Sequence, residues 1–455
     1  ETVTGGTLAD NITLTNSATG TVYNLGAGTD RLTLAGGTNV VTASDVESIV
    51  GGSGADDVSL TTATSNLVLD LGGGTTDKLT LANGANTVTA SNVETIAGNA
   101  GADIVVLGSV ISNGNIDLAA GADQLVLANG SNNLTATGIE TITGGTGADT
   151  ITLGAAQSSG VFNLGAGVDR LTLSGAAANI LSLDASVEQV IGGAAGDALT
   201  LTQAVSGAVY DLAGGSDSLT LASGTNLLTA SNVESVTGNA GDDNVTLGAA
   251  ISGANIDLAG GNDTVQLSSA GNNTVTLANV ESVSGGGSND NVTLTTVLSG
   301  GTVNLAGSND SDRLQLADGG NVATINNVES LTGGNGNDVI TMTNASPFNA
   351  VVDLGAGSGD KITLAAGGNT MTLNNVESVE GNAGADVITF GTAVAGAQLD
   401  LGAGVDKLFL AAGGNTVTAS NLESISGGSG DDVVTLLTTV TAGNFDLGSG
   451  SDSLS

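Results

Sequence analysis

The sequence predicts an all-β fold, a single repetitive β-solenoid of the parallel β-helix or β-roll kind. Three observations carry this expectation. A Val/Ile/Leu-Glu step recurs every 46 to 48 residues, short stretches alternate apolar and polar residues, and glycine-rich turns ending in aspartate separate those stretches. Self-similarity at a period of this size is the signature of stacked supersecondary units.

The repeat opens with Glu at positions 1, 47, 94, 140, 188, 234, 281, 329, 377 and 423. This gives nine complete units and a tenth cut short at Ser455. No linker or charge block interrupts the series, so residues 1–455 read as one continuous array. Glu1 already lies inside a repeat, which leads us to expect a segment of a longer or processed chain. In the fourth unit two halves can be superposed. One runs GGTGAD, TITL, a small-residue loop and VFNL; the other runs GAGVD, RLTL, a loop and LSLDASV. Two equivalent halves suggest two coils per unit, hence about 19 coils rising roughly 4.8 Å each into a rod about 90 Å long. The Asp-to-Asp steps alternate, 20 residues from Asp149 to Asp169 and then 28 to Asp197, so the longer half should carry an extra strand or an out-looping segment.

The strands follow from period-two alternation, which buries one face. Ile151 and Leu153 share a face while Thr152 points away, and Ile12/Leu14, Val245/Leu247 and Ile388/Phe390 repeat the pattern. No stretch carries a 3.6-residue period, and frequent glycine disfavours helix interiors. The interior must be thin. Aromatics make up 2 % of the chain, so Val, Leu, Ile and Ala fill layers only a few side chains wide.

Composition limits function. With 45 acidic and 6 basic residues the net charge is −39, which repels nucleic acid and anionic membrane surfaces. The 40 % hydrophobic content argues for folding rather than disorder, so something must offset the self-repulsion, and bound cations are the simplest candidate. There is no His or Cys, hence no catalytic triad, thiolate or zinc site. Every acidic candidate is one copy of about ten, whereas an active site is singular, so the chain reads as a non-enzyme. No run of 18 apolar residues is present to insert into a membrane.

The turns hold the candidate metal ligands. The first turn of each unit ends at Asp10, Asp56 (or Asp57), Asp103, Asp149, Asp197, Asp243, Asp290, Asp338, Asp386 and Asp432. The second ends at Asp30, Asp77, Asp123, Asp169, Asp217, Asp263, Asp312 (or Asp310), Asp360, Asp406 and Asp452. Calcium takes six to eight oxygens from carboxylates and carbonyls. Glycine-rich turns free carbonyls to point inward, and stacking sets the Asp of one coil beside the carbonyls of the next. The bland alternative is an Asp that caps its own turn and binds no ion.

These turns resemble the calcium-binding nonapeptide of RTX repeat proteins, G-G-x-G-x-D-x-U-x. The match is full at Gly51–Asp56, Gly144–Asp149, Gly333–Asp338 and Gly427–Asp432, while Asn99, Asn239 and Asn382 replace the second glycine in units three, six and nine. The nonapeptides here stand 20 or more residues apart rather than back to back, which is nearer to the arrays of bacterial surface-layer proteins and giant adhesins. The resemblance implies type I secretion, an extracellular cell-surface location and calcium-dependent folding of a structural rod in a surface layer, adhesin stalk or filament.

Other features admit plainer readings. The unit-leading Glu follows an apolar residue on a strand, so it reads as solvated unless it pairs across coils. Arg31, Lys78, Arg170, Arg313, Lys361 and Lys407 each follow a second-turn Asp, which suggests local neutralisation. Outward Thr residues recur (Thr13, Thr152, Thr200, Thr246, Thr293, Thr341, Thr389 and Thr435), which raises an ice-binding or carbohydrate-adhesive module as the alternative function. Thr is equally a common exposed strand residue. Uncapped strand edges lead us to expect self-association, end to end or side by side.

Overall fold

Among the described residues, forty-nine short strands and no helix make up the regular structure of a computed structural model of the chain. It describes all residues except 308–310 and 346–348. The chain divides into two units, Glu1–Ala222 and Ser223–Ser455, and each is a β-solenoid. Within each unit the strands pair in parallel with the strand two places on, so one coil contributes one strand to each of two sheets. The expectation of an all-β parallel solenoid holds.

The fourth repeat shows how sequence becomes coil. Its strands are Thr141–Thr146, Thr150–Leu153, Gly160–Ala166, Arg170–Thr172 and Ile180–Leu183. In Thr150–Leu153 the alternation resolves as expected: Ile151 and Leu153 are buried, and Thr150 and Thr152 are partly exposed. One coil later Leu171 sits directly over Ile151, and a further coil later Val190 sits over Leu171. A branched side chain thus stacks on its equivalent above and below. The core is almost wholly Leu, Val, Ile and Ala, with Tyr210, Phe162 and Phe390 its largest fully buried side chains. The Tyr210 hydroxyl satisfies itself by donating to the Val187 carbonyl at 3.0 Å.

The turns need glycine at specific places. A Cβ at Gly144 would lie 1.9 Å from the Leu164 carbonyl oxygen of the next coil, and Gly147 holds a φ of 108°. The first is a close backbone approach and the second a left-handed conformation, and both exclude a side chain.

The expected two coils per repeat unit is corrected. Each complete unit supplies five strands, and with two strands per coil it spans two and a half coils. The 20-residue step from Asp149 to Asp169 holds two strands, one full coil; the 28-residue step to Asp197 holds three. The extra strand expected in the longer half is Ile180–Leu183 or Gln189–Ile191, depending on where the unit is cut. Because five is odd, equivalent positions of successive units fall on opposite sheets. In the N-terminal unit Thr13 and Thr200 lie on one sheet and Thr152 on the other. In the C-terminal unit Thr246, Thr341 and Thr435 lie on one sheet and Thr293 and Thr389 on the other. The threonines therefore form no single row: along the sheet, Thr135, Thr152 and Thr172 are followed by Ile191.

Ile151→Ala should destabilise the protein by about 2–5 kcal/mol through lost burial and a residual cavity. Thr152→Ala, one residue on but outward, should stay within about 0.5 kcal/mol. Urea unfolding followed by circular dichroism would separate the two; equal effects would contradict the assignment of faces.

Candidate functional site

The turn aspartates lie inside the coils. All of them from Asp30 to Asp432 are 2 % exposed or less, while Asp10 and Asp452 are partly exposed. Of the two pairs of alternatives, Asp56 points inward and Asp57 faces out beside Lys78, while Asp312 is buried and Asp310 lies outside the described residues. Each sits just before or at the start of its strand, at the corner where the chain enters a sheet.

The corners are joined by a ladder of hydrogen bonds from coil to coil. The Asp149 N–H donates to Asp169 Oδ1 at 2.7 Å, and the Asp169 N–H donates to Glu188 Oε2 at 2.8 Å. Ahead of them, Asn132 donates to Asp149 Oδ1 twice, from its backbone N–H at 2.7 Å and from Nδ2 at 2.9 Å. The same order, Asn, Asp, Asp, Glu, recurs as Asn39–Asp56–Asp77–Glu94 and Asn86–Asp103–Asp123–Glu140. In the C-terminal unit it recurs as Asn273–Asp290–Asp312–Glu329 and Asn321–Asp338–Asp360–Glu377. After each Glu comes one coil without a corner acid. Its backbone donates to the Oδ1 of the next Asn, as Ile111 does to Asn132 at 3.2 Å.

This ladder gives several sequence features their place. The unit-leading Glu is a partly exposed cross-coil acceptor rather than a freely solvated side chain. The Asp preceding the second turn, such as Asp70 or Asp400, is exposed; it caps its own turn by accepting from Gly72 or Gly402 and holds Asn92 or Asn421 of the next coil. None of the six basic side chains is buried, so they do not neutralise the corner carboxylates; Lys361 pairs instead with Glu380 at 2.6 Å on the outer face. The corner asparagines escaped sequence reasoning altogether. Their signal was available: Asn39, Asn86, Asn132, Asn226, Asn273, Asn321, Asn369 and Asn415 each stand 17 residues before a first-turn Asp.

One carboxylate oxygen is left over. Oδ2 of Asp30, Asp77, Asp103, Asp123, Asp149, Asp169, Asp243, Asp263, Asp338, Asp360, Asp386, Asp406 and Asp432 is buried and accepts no hydrogen bond. In other turns that oxygen is taken by the second glycine of the motif, as with Gly6 and Asp10 at 3.0 Å. A buried, unpartnered carboxylate oxygen is costly unless a proton or a cation meets it. The oxygens are hard donors of the kind calcium uses, and turn carbonyls lie close by: at Gly333 a Cβ would meet both the Leu354 carbonyl oxygen and Asp338 Oδ2. Among the described residues no three acidic side chains converge on one point, so carbonyls would have to complete any coordination shell.

Burial also shifts titration. It pushes the carboxyls of Asp123, Asp169, Asp263 and Asp406 up to about 6; the acids of the adjacent coils add to the rise, and the ladder N–H opposes it. No protein-family model matches the sequence, and no curated protein is similar to it.

A carboxyl whose pKa is higher folded than unfolded favours the folded state below its unfolded value near 4 and loses that contribution as pH rises through about 6. In chelator-containing buffer the thermal midpoint should therefore fall as pH is raised from 4.5 to 7.5. Melts followed by circular dichroism would check this, and a rising midpoint would contradict the assigned burial.

Proposed function

We propose that this protein is a non-catalytic structural repeat scaffold, stapled by calcium and working outside the cell in a bacterial surface layer, adhesin stalk or extracellular filament. The observation that carries the reading is the set of buried, unpartnered Oδ2 atoms repeated coil after coil at both corners. They leave negative charge inside the fold with no basic side chain to meet it. Asp77, Asp149, Asp169 and their equivalents would hold the ions through Oδ2, with Oδ1 kept on the ladder. Bound calcium would supply the missing positive charge and tie adjacent coils together.

The same chemistry suggests where folding happens. At low calcium the carboxylates repel and resist burial, which keeps the chain export-competent. At extracellular calcium, ion binding becomes folding free energy. The distribution of acids suits this role better than any local reaction, since each is one copy of a repeated arrangement.

Far-UV circular dichroism of the chain in EGTA, titrated with calcium at pH 7.5, tests the proposal. We expect a cooperative gain of β signal. A β spectrum and melting midpoint unmoved by chelator or calcium would overturn it.

A further inference from the structure

We propose that the buried corner asparagines are cation-free positions, at which a side-chain amide nitrogen fills the place calcium takes at the aspartates. Each carboxylate row is thereby cut into short, separate binding segments. The inference rests on the calcium reading above and assigns which corners bind and which do not.

The argument begins with what surrounds the amide. Asn132 Nδ2 lies 2.8 Å from the Ala128 carbonyl oxygen, 2.9 Å from the Gly130 carbonyl oxygen and 2.9 Å from Asp149 Oδ1. Two carbonyls of its own turn and a carboxylate of the next coil thus converge on one nitrogen. The arrangement is reproduced at Asn39, with 2.9, 2.8 and 2.7 Å to Ala35, Gly37 and Asp56, and at Asn86 and Asn415. Asn132 has no exposed surface to speak of, at 1 %. A partial positive charge held by three oxygens is the electrostatic counterpart of a bound cation.

First-turn aspartates such as Asp149 share this bend but lack the amide. Gly130 and Gly147, each two residues before the corner side chain, have φ of 103° and 108°, so the Asn132 and Asp149 turns bend alike. At Asp149 the Asp169 Oδ1 accepts the corner N–H and Asp149 adds its unpartnered Oδ2; in the equivalent Asp338 turn, Oδ2 and the Leu354 carbonyl oxygen crowd the same side of Gly333. No N–H₂ group stands there to engage them. Carbonyl and carboxylate oxygens in this mixture are what a calcium ion takes. At the asparagines the nitrogen competes for the same oxygens and removes one anionic charge, so a cation is doubly disfavoured. Going along one corner, two aspartates and a glutamate can therefore bind, then an acid-free coil and an asparagine intervene before the next such group.

The experiment measures calcium bound per chain at equilibrium, using the full chain and a variant with Asn39→Asp, Asn86→Asp and Asn132→Asp. We expect one additional ion for each replaced asparagine. In chelator the variant should melt below the parent, because three more carboxylates are buried, and calcium should restore the midpoint. Asn→Ala at the same positions should lower the midpoint without adding ions. Parent-like stoichiometry in the Asp variant, or failure of that variant to fold at saturating calcium, overturns this inference while leaving calcium stapling intact. No calcium bound by the parent overturns both.

Discussion

Everything in this fold depends on how a coil about twenty residues long satisfies its corners. Along the strands the backbone is paired above and below by parallel ladders. At the corner the chain turns inward, and an N–H that points along the stack has no carbonyl opposite it. A carboxylate or amide oxygen from the following coil supplies the acceptor, as Asp169 does for Asp149. An unpaired buried N–H would cost as much as a lost hydrogen bond or more, so an acceptor at that position is close to obligatory. The choice of a carboxylate for that acceptor has a consequence, because its second oxygen enters the interior too.

That second oxygen sets the electrostatics. A buried, aliphatic surrounding gives a carboxylate little beyond the ladder N–H to replace its hydration, and the neighbouring coils bring like charges rather than opposite ones. Desolvation is accordingly the leading cause of the raised pKa at every shifted corner acid. Two buried aspartates per repeat stand at corners like these, while the basic residues lie outside. The fold is thus locally well satisfied and globally short of positive charge. Because the fold favours the protonated form of these acids, its stability falls as pH rises through their titration.

The sequence made much of this legible. The period-two pattern of Ile151 and Leu153 identified strands and faces, since burial on one side only leaves no other periodicity possible. The recurring Asp identified corners, because glycine with a terminal aspartate is turn chemistry. Two things were not legible. The coil number is obscured because two halves of the repeat look alike, and strands as short as Gln189–Ile191 carry too few residues to show alternation. The direction of the carboxylates is also hidden: whether Asp caps its turn or reaches back to the preceding coil depends on a neighbour 17 to 22 residues away, which only stacking brings near. Asn132 and its equivalents were overlooked for the same reason. Their role appears only when the turn carbonyls and the next coil are seen together.

The odd strand in each repeat explains why the corners are arranged as they are. A unit of four strands would close after two coils and place every repeat in the same orientation. Both turn aspartates, which precede the second and fourth strands, would then always fall at the same corner. That corner would carry an unbroken column of buried carboxylates, and the opposite corner would carry none. With five strands, successive repeats alternate: Asp77 and Asp169 serve one corner, and Asp30 and Asp123 the other. The fifth strand also brings its asparagine into each row, and the third strand brings a position with no acid at that corner. Charge is therefore shared between two corners and interrupted within each. Repulsion between neighbours is confined to groups of three instead of accumulating along the stack.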